Sequence, residues 1–328
     1  MSRSSKMSLQ DIVSRKVHHG KDRFINPFGP KMHGRMAEVI RWKLLSRNLF
    51  REMYKHEKVS PVSFDWQQVQ DYHGLSVTYI NHASVLIKNR ENCILIDPVF
   101  NGLSLFIKDF SPLHLNLADM PRPDHVLITH GHYDHLDLHS LKSLADDTHL
   151  IIPLGYKGIV KAIAPRPVTR LDWLEDFRCG RGSITLLPCH HWTMRNPLVG
   201  PNRSLWGSYL IRTAEGLTIY ISGDTAWFDG FREIGKMYDI DLAILNVGAY
   251  EPRWFMKTSH MNPAEAVRAF RGLGARHLLP VHWGTFRLGN EPVFLPPIQI
   301  REEMTKAGMA DKLIDLSHGQ TIFYEQLL

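Results

Sequence analysis

The sequence predicts an α/β fold, with one domain over residues 61–328 and a basic arm over 1–60 before it. Three observations point that way. Short apolar or alternating runs of strand length recur through the body, with helical patterns between them. Five of these runs end in residues able to bind a divalent metal, as loops held by a rigid scaffold commonly do. No shift in composition inside 61–328 marks a linker, and no internal repeat is visible.

Charge divides the chain in the same place. Residues 1–60 hold fourteen Lys and Arg against five Asp and Glu, a net of +9. The whole chain of 328 residues is +6, which leaves −3 for the body. A body of that charge argues against a nucleic-acid partner, whose backbone selects a basic surface. No run of about 18 apolar residues is present, and the N-terminus lacks a signal-like apolar core, so the cytoplasm is the expected location. Cys93, Cys179 and Cys189 have neither an even count nor a Cys-x-x-Cys spacing, and are expected to be buried thiols.

Taken in order, residues 1–35 read as irregular, broken by Pro27, Gly29, Pro30 and Gly34. Met36, Val39, Ile40, Trp42, Leu44, Leu49 and Met53 form one apolar face, with Arg41, Asn48, Arg51 and Lys55 opposite. They predict an amphipathic helix over 36–54. Packing on its own domain is its expected main role, which leaves the basic face free for peripheral contact with an anionic membrane. Strands are expected at 75–81, 84–88 and 93–96, the last two joined by a polar turn at 89–92, and then at 124–129, 149–153 and 183–188. A helix is expected over 155–164. Strands at 205–212 and 217–222 form a hairpin around Thr213-Ala214-Glu215-Gly216, and 242–247 follows. Asn262-Pro263-Ala264-Glu265 carries an N-cap, a Pro at the first helical position and a Glu at the third, and predicts a helix to about residue 272. Strands at 277–281, 314–316 and 321–324 complete the sheet pattern.

The most informative stretch is Thr129-His130-Gly131-His132-Tyr133-Asp134-His135-Leu136-Asp137, directly after Val126-Leu127-Ile128. In an extended segment His130 and His132 can face one ion, while Asp134 and His135 turn toward a second. Imidazole with carboxylate suits zinc, or iron or manganese where carboxylate is plentiful. A helix N-cap would explain Asp134 or Asp137, but not three histidines with them. Further metal-capable residues follow other strands: Asp97, the pair His190-His191, Asp224 and His282.

These stretches resemble the metallo-β-lactamase fold superfamily, marked by His-x-His-x-Asp-His followed by a His, an Asp and a His. Within it the chain most resembles the N-acylphosphatidylethanolamine-hydrolysing phospholipase D family over residues 73–320. The stretches that carry this are Asn81-His82-Ala83-Ser84, His191-Trp192, Leu205-Trp206-Gly207-Ser208, Gly223-Asp224-Thr225, Gly248-Ala249-Tyr250-Glu251-Pro252-Arg253-Trp254-Phe255-Met256-Lys257 and His282-Trp283-Gly284-Thr285-Phe286. The long run from Gly248 is far more specific than the metal motif.

The resemblance implies an αββα sandwich of two mixed sheets with helices on the outer faces. It also implies two Zn2+ ions, with iron or manganese as alternatives. His130, His132 and His191 would hold one ion, Asp134, His135 and His282 the other, and Asp224 would bridge them. His191 is preferred to His190 because the family's ligand directly precedes Trp. Asp97 would orient a ligand His, and His82 would be a structural His beside the site. The implied activity is a zinc-dependent phosphodiesterase of phospholipase D type. A hydroxide shared by the ions would attack the phosphorus of an N-acylphosphatidylethanolamine-like phospholipid, releasing phosphatidic acid and an N-acylethanolamine. Asp134 or Asp224 would guide its proton, and His260 would contact the substrate phosphate. Trp254, Phe255 and Met256 could wall an acyl channel or simply pack. The alternatives are a cytoplasmic lactonase acting on a sugar phosphate or other small ester, and a non-catalytic membrane-surface binding protein. Oligomeric state is left open, a homodimer included.

Overall fold

The computed structural model describes residues 7–29, 41–45, 47–104 and 106–326. Its centre is a pair of packed sheets, both mixed. The first has seven strands: β1 (Ser76–Asn81), β2 (Ser84–Lys88), β3 (Cys93–Ile96), β4 (His125–Leu127), β5 (His149–Pro153), β6 (Val168–Leu171) and β13 (Thr321–Phe323), in the order β13-β1-β2-β3-β4-β5-β6. The second has six: β7 (Asp176–Cys179), β8 (Gly182–Leu187), β9 (Ser208–Arg212), β10 (Thr218–Ile221), β11 (Leu242–Asn246) and β12 (His277–Val281), in the order β12-β11-β10-β9-β8-β7.

Strand alternation decides what each side buries. In β3, Ile94 and Ile96 join the core between the sheets, while Cys93 and Leu95 face a second core. That second core is closed by Trp66 and Val69 from the helix Trp66–Asp71 and by Leu141 from the helix Leu138–Ser143. On the other outer face Phe231 and Ile234 of the helix Gly230–Met237 and Ala266 and Phe270 of Pro263–Leu273 pack against the second sheet. Two sheets between two helical layers give the αββα sandwich.

Most expected strands form, and several differences have local causes. β6 and β7 were not expected: each is four residues long and carries charged positions, too short for period-two alternation to stand out. Residues 314–316 form no strand; Ile314 N donates to Leu278 O at 2.8 Å, and only Leu313 bridges to Leu278. The helix Leu295–Lys306 also lacked a clear signal, because it opens with Pro296 and Pro297.

The N-terminal segment packs onto the body. Within the stretch expected to be irregular, Leu9–Ser14 is a helix with a reciprocal Ser8/Asp11 capping box, and Leu9 and Ile12 are buried. Leu9 N donates to Glu233 Oε2 at 2.7 Å. Buried Asp172 then gathers Lys16 Nζ at 2.5 Å, His18 Nε2 at 2.7 Å and His19 Nε2 at 2.8 Å, and the His18 ring stacks on Trp173. Of the helix expected over 36–54, residues 36–40 and 46 lie outside the described residues. The remainder is not one continuous helix: Arg41–Leu45 is a π-helical turn and Arg51–His56 a 3-10 helix. Asn48 Oδ1 accepts from Phe50 N and turns the chain between them. Trp42 Nε1 donates to Asn290 Oδ1 at 2.8 Å and Tyr54 OH to Asn290 O at 2.6 Å, so this segment too is docked.

Candidate metal centre

The parallel pairs β3-β4 and β10-β11-β12 give the strands a common direction within each sheet, so their C-terminal loops meet at one rim. The turn after β1 closes that rim, with His282 N donating to His82 O and His82 bridging Trp283. Backbone strain concentrates there. His82, Asp97, Ala249 and His282 have φ of 42°, 41°, 57° and 67°, left-handed values that side chains adopt only where surrounding contacts compel them. Gly248 is required for a different reason, the close approach of another backbone: a Cβ there would lie 1.8 Å from His282 O.

Beside an overlapping set of Asp224, His260 and His282, two groups of four ligand-type atoms converge, each within 4.8 Å: His130, His132, His191 and Asp224, and His82, Asp134, His135 and His282. Asp224 lies between them. Its Oδ2 is 3.2 Å from His135 Nε2, 3.8 Å from His130 Nε2 and 3.9 Å from His191 Nε2, and its Oδ1 is 3.1 Å from His282 Nε2. Asp134 Oδ2 lies 3.5 Å from both His135 Nε2 and His282 Nε2. All seven residues that the sequence proposed as ligands therefore share one cluster. His190 stands outside it, its ring beside Phe28 and Phe228.

Other protein groups fix the ring orientations. Asp97 Oδ2 lies 2.7 Å from His135 Nδ1, and the same carboxylate accepts from Thr129 N and Oγ1. His191 Nδ1 donates to Ser259 O at 3.0 Å, which leaves Nε2 as the lone-pair nitrogen. His132 faces His130 Nε2 and His191 Nε2 through its Nδ1, and His135 Nε2, His282 Nε2 and Asp224 Oδ1 are buried yet make no hydrogen bond. Close approach without hydrogen-bond alignment is the arrangement of lone pairs aimed at a common cation. Buried polar atoms otherwise rarely go unpaired, so this donor set fits zinc, iron or manganese.

Charge agrees. Burial would raise the carboxyls of Asp134 and Asp224, but neighbouring imidazoles, His135 and His282 foremost, hold both well below the usual range. Burial keeps His130 and His191 neutral. It is also the largest single influence on His282, yet the Asp224 and Asp134 carboxylates together outweigh it and push that ring up to about 9. Two buried carboxylates demand positive charge here, whether carried by imidazolium or by metal.

His260 is buried beside the cluster, with Nδ1 3.7 Å from Asp224 Oδ2 and its ring 5.4 Å from that of His191. Arg253 Nη1 donates to His260 O and to Tyr250 O, tying the Gly248–257 run to the site. Phe255 and Met256 pack in a small apolar cluster with Trp42, and Trp254 is 42% exposed. His82, expected as a structural His beside the site, lies there. Its Nε2 lies 3.0 Å from Asp134 Oδ2, within the second group of possible ligands.

Comparison with known proteins agrees with this geometry. Residues 92–283 match the family model described as "Beta-lactamase superfamily domain". The chain is 35% identical over 330 aligned positions, 93% of its length, to N-acyl-phosphatidylethanolamine-hydrolyzing phospholipase D 1 of Caenorhabditis elegans, and covers 92% of that protein. It is 34% identical over 228 positions to the mitochondrial N-acyl-phosphatidylethanolamine-hydrolyzing phospholipase D of Saccharomyces cerevisiae, covering 66% of this chain and 48% of that one. Among solved structures, the metallo-beta-lactamase fold protein YhfI of Bacillus subtilis superposes with a TM-score of 0.55 at 18% identity, covering 76% of this chain and 99% of that one.

Proposed function

This chain belongs to the beta-lactamase superfamily, in the family of N-acyl-phosphatidylethanolamine-hydrolysing phospholipases D, and is a metal-dependent hydrolase; we propose that it cleaves the phosphodiester of an N-acylphosphatidylethanolamine-like phospholipid, giving phosphatidic acid and an N-acylethanolamine. The observation that carries this reading is a match to the C. elegans enzyme that runs through nearly the whole of both chains. Among the described residues no helix is long and apolar enough to cross a membrane, so the lipid would be met from a surface.

His130, His132 and His191 would hold one zinc ion, Asp134, His135 and His282 a second, and Asp224 both. Bound metal supplies Lewis acidity and makes water a competent nucleophile near neutral pH. The remaining work falls to side chains. Asp134 is 13% exposed against 2% for Asp224, which makes it the carboxylate open to the proton of an attacking water. His260 presents an imidazole beside the shared carboxylate, placed to donate to a phosphoryl oxygen as its charge grows. A water oxygen bonds to phosphorus, the P–O bond to the N-acylethanolamine breaks, and the departing oxygen takes a proton.

The test is to incubate metal-loaded protein with N-acylphosphatidylethanolamine vesicles, and separately with a sugar-phosphate lactone, and to identify the products. Phosphatidic acid from the first alone is the expected result. Lactone opening with no lipid cleavage would replace the phosphodiesterase reading.

A further inference from the structure

Three helices, Gly230–Met237, Pro263–Leu273 and Leu295–Lys306, line one cleft of about 760 Å3. Five of its lining residues are cations, Arg232, Lys236, Arg268, Arg271 and Lys306, against a single carboxylate, Glu303. None of them belongs to the metal cluster. Residues 61–328 are net −3, so a cleft at +4 runs against the charge of the body.

The one acidic residue in each of the first two helices is engaged elsewhere. Glu233 Oε2 accepts from Leu9 N at 2.7 Å, and Glu265 Oε2 accepts from Arg253 Nη2 at 2.7 Å and from Asn262 N at 3.1 Å. Inside the cleft Glu303 pairs with Lys306 at 2.8 Å, and the Arg268 guanidinium lies 3.4 Å from the centre of the Trp227 ring. Arg232, Lys236 and Arg271 have no carboxylate partner among the described residues.

The helix macrodipole explains one cation in each last turn, here Lys236, Arg271 and Lys306. It does not explain Arg232, which sits in the first turn of its helix, where the dipole favours an acid. Nor does it explain like charges four and three residues apart, Arg232 with Lys236 and Arg268 with Arg271, which repel along a helix face. Glycine then brings the two helices into backbone contact. A Cβ on Gly235 would lie 2.5 Å from Leu273 O, and one on Gly272 would lie 3.4 Å from Arg232 Cγ, so the two cation pairs flank that contact.

From this geometry we propose that the cleft binds a small soluble anion carrying two or more phosphate groups, at a site separate from the metal centre. Arg232, Arg268 and Arg271 each offer a planar fork for bidentate pairing with phosphate, and Lys236 and Lys306 add point charges. Two phosphate groups, each carrying about −1.5 to −2 at neutral pH, match the charge of the cleft. Its volume is that of a small-molecule site. A nucleic acid would require a longer basic surface than one cleft on a net-negative body. The site is independent of which ester the metal centre cleaves.

The experiment is isothermal titration calorimetry of metal-loaded, full-length protein with fructose bisphosphate at about 0.15 M ionic strength, repeated with an Arg232→Gln/Arg271→Gln variant. Glutamine keeps part of each aliphatic stem, and metal content and thermal melting of the ligand-free variant check its fold. Binding at least about tenfold weaker in the variant is expected, because one charged hydrogen bond is worth about tenfold or more. Lys236→Gln, at an exposed position in a last turn, is a second variant expected to weaken binding in the same direction. Equal affinity in parent and variants places the anion elsewhere, the metal centre included, and overturns the proposal, as does no binding by the parent. Vesicles containing phosphatidylinositol bisphosphate form the second arm. Vesicle binding by the parent and not by the variants, with none of the soluble sugar, assigns the cleft to a lipid headgroup and overturns the soluble ligand.

Discussion

Asp97 Oδ2 lies 2.7 Å from His135 Nδ1 at the buried end of β3, and the same carboxylate accepts from Thr129 at the head of the metal loop. One residue thus sets both the ring orientation of His135 and the exit angle of the segment carrying His130 and His132. Groups behind a ligand typically contribute about 10–100-fold to metal affinity. Asp97→Ala is expected to weaken binding at the second ion by about that factor, read by competition with a chromogenic chelator. An unchanged affinity would remove Asp97 from the site's support.

His260→Gln tests a different role. The side chain adjoins the cluster but is not needed to complete either group of four. Turnover is expected to fall about 100-fold while elemental analysis finds the metal content of the parent. Equal losses of metal and activity would make His260 a ligand.

Glu291 offers a pH test away from the metal. It is buried, accepts from Tyr250 N and Glu251 N at 3.0 Å, and burial pushes its carboxyl up to about 7, against about 4.3 in an unfolded chain. Between those values the native protein holds a proton that the unfolded chain has lost. Its contribution to stability is therefore full below about pH 4.3 and disappears as pH rises through about 7. Glu291→Gln is expected to flatten the change of Tm between about pH 5 and 8. The same slope in both proteins would mean that Glu291 ionises as an ordinary carboxylate.

Asp172 clamps the N-terminal segment. Burial would raise its carboxyl, but hydrogen bonds from His18 and Lys16 hold it below the usual range. Asp172→Ala strands buried His18 and is expected to cost about 2 kcal/mol in urea unfolding, with faster proteolysis inside residues 7–29. Parent-like proteolysis would show that Leu9, Ile12 and Phe28 suffice to hold the segment.

The cluster was legible because its chemistry is written in short motifs. His130, His132, Asp134 and His135 lie within six residues, and the other ligands each follow a recognisable apolar strand. Strands with continuous burial, such as β8 and β11, were equally plain. Long-range geometry was not. Nothing local in Asn81-His82-Ala83 reports that the turn after β1 meets Trp283, and that encounter is what brings His82 to Asp134. The docked N-terminal segment was hidden for a similar reason. A six-residue helix gives too few positions for a 3.6-residue period, and its partners Asp172 and Glu233 lie far along the chain.

The measurement that bears most directly on the two-ion hydrolase is metal stoichiometry by native mass spectrometry, paired with turnover, for the parent, His191→Ala and His282→Ala. Two ions are expected in the parent and one in each variant, with phosphodiester cleavage by the parent alone. A single ion in the parent that survives His282→Ala with activity intact would contradict it.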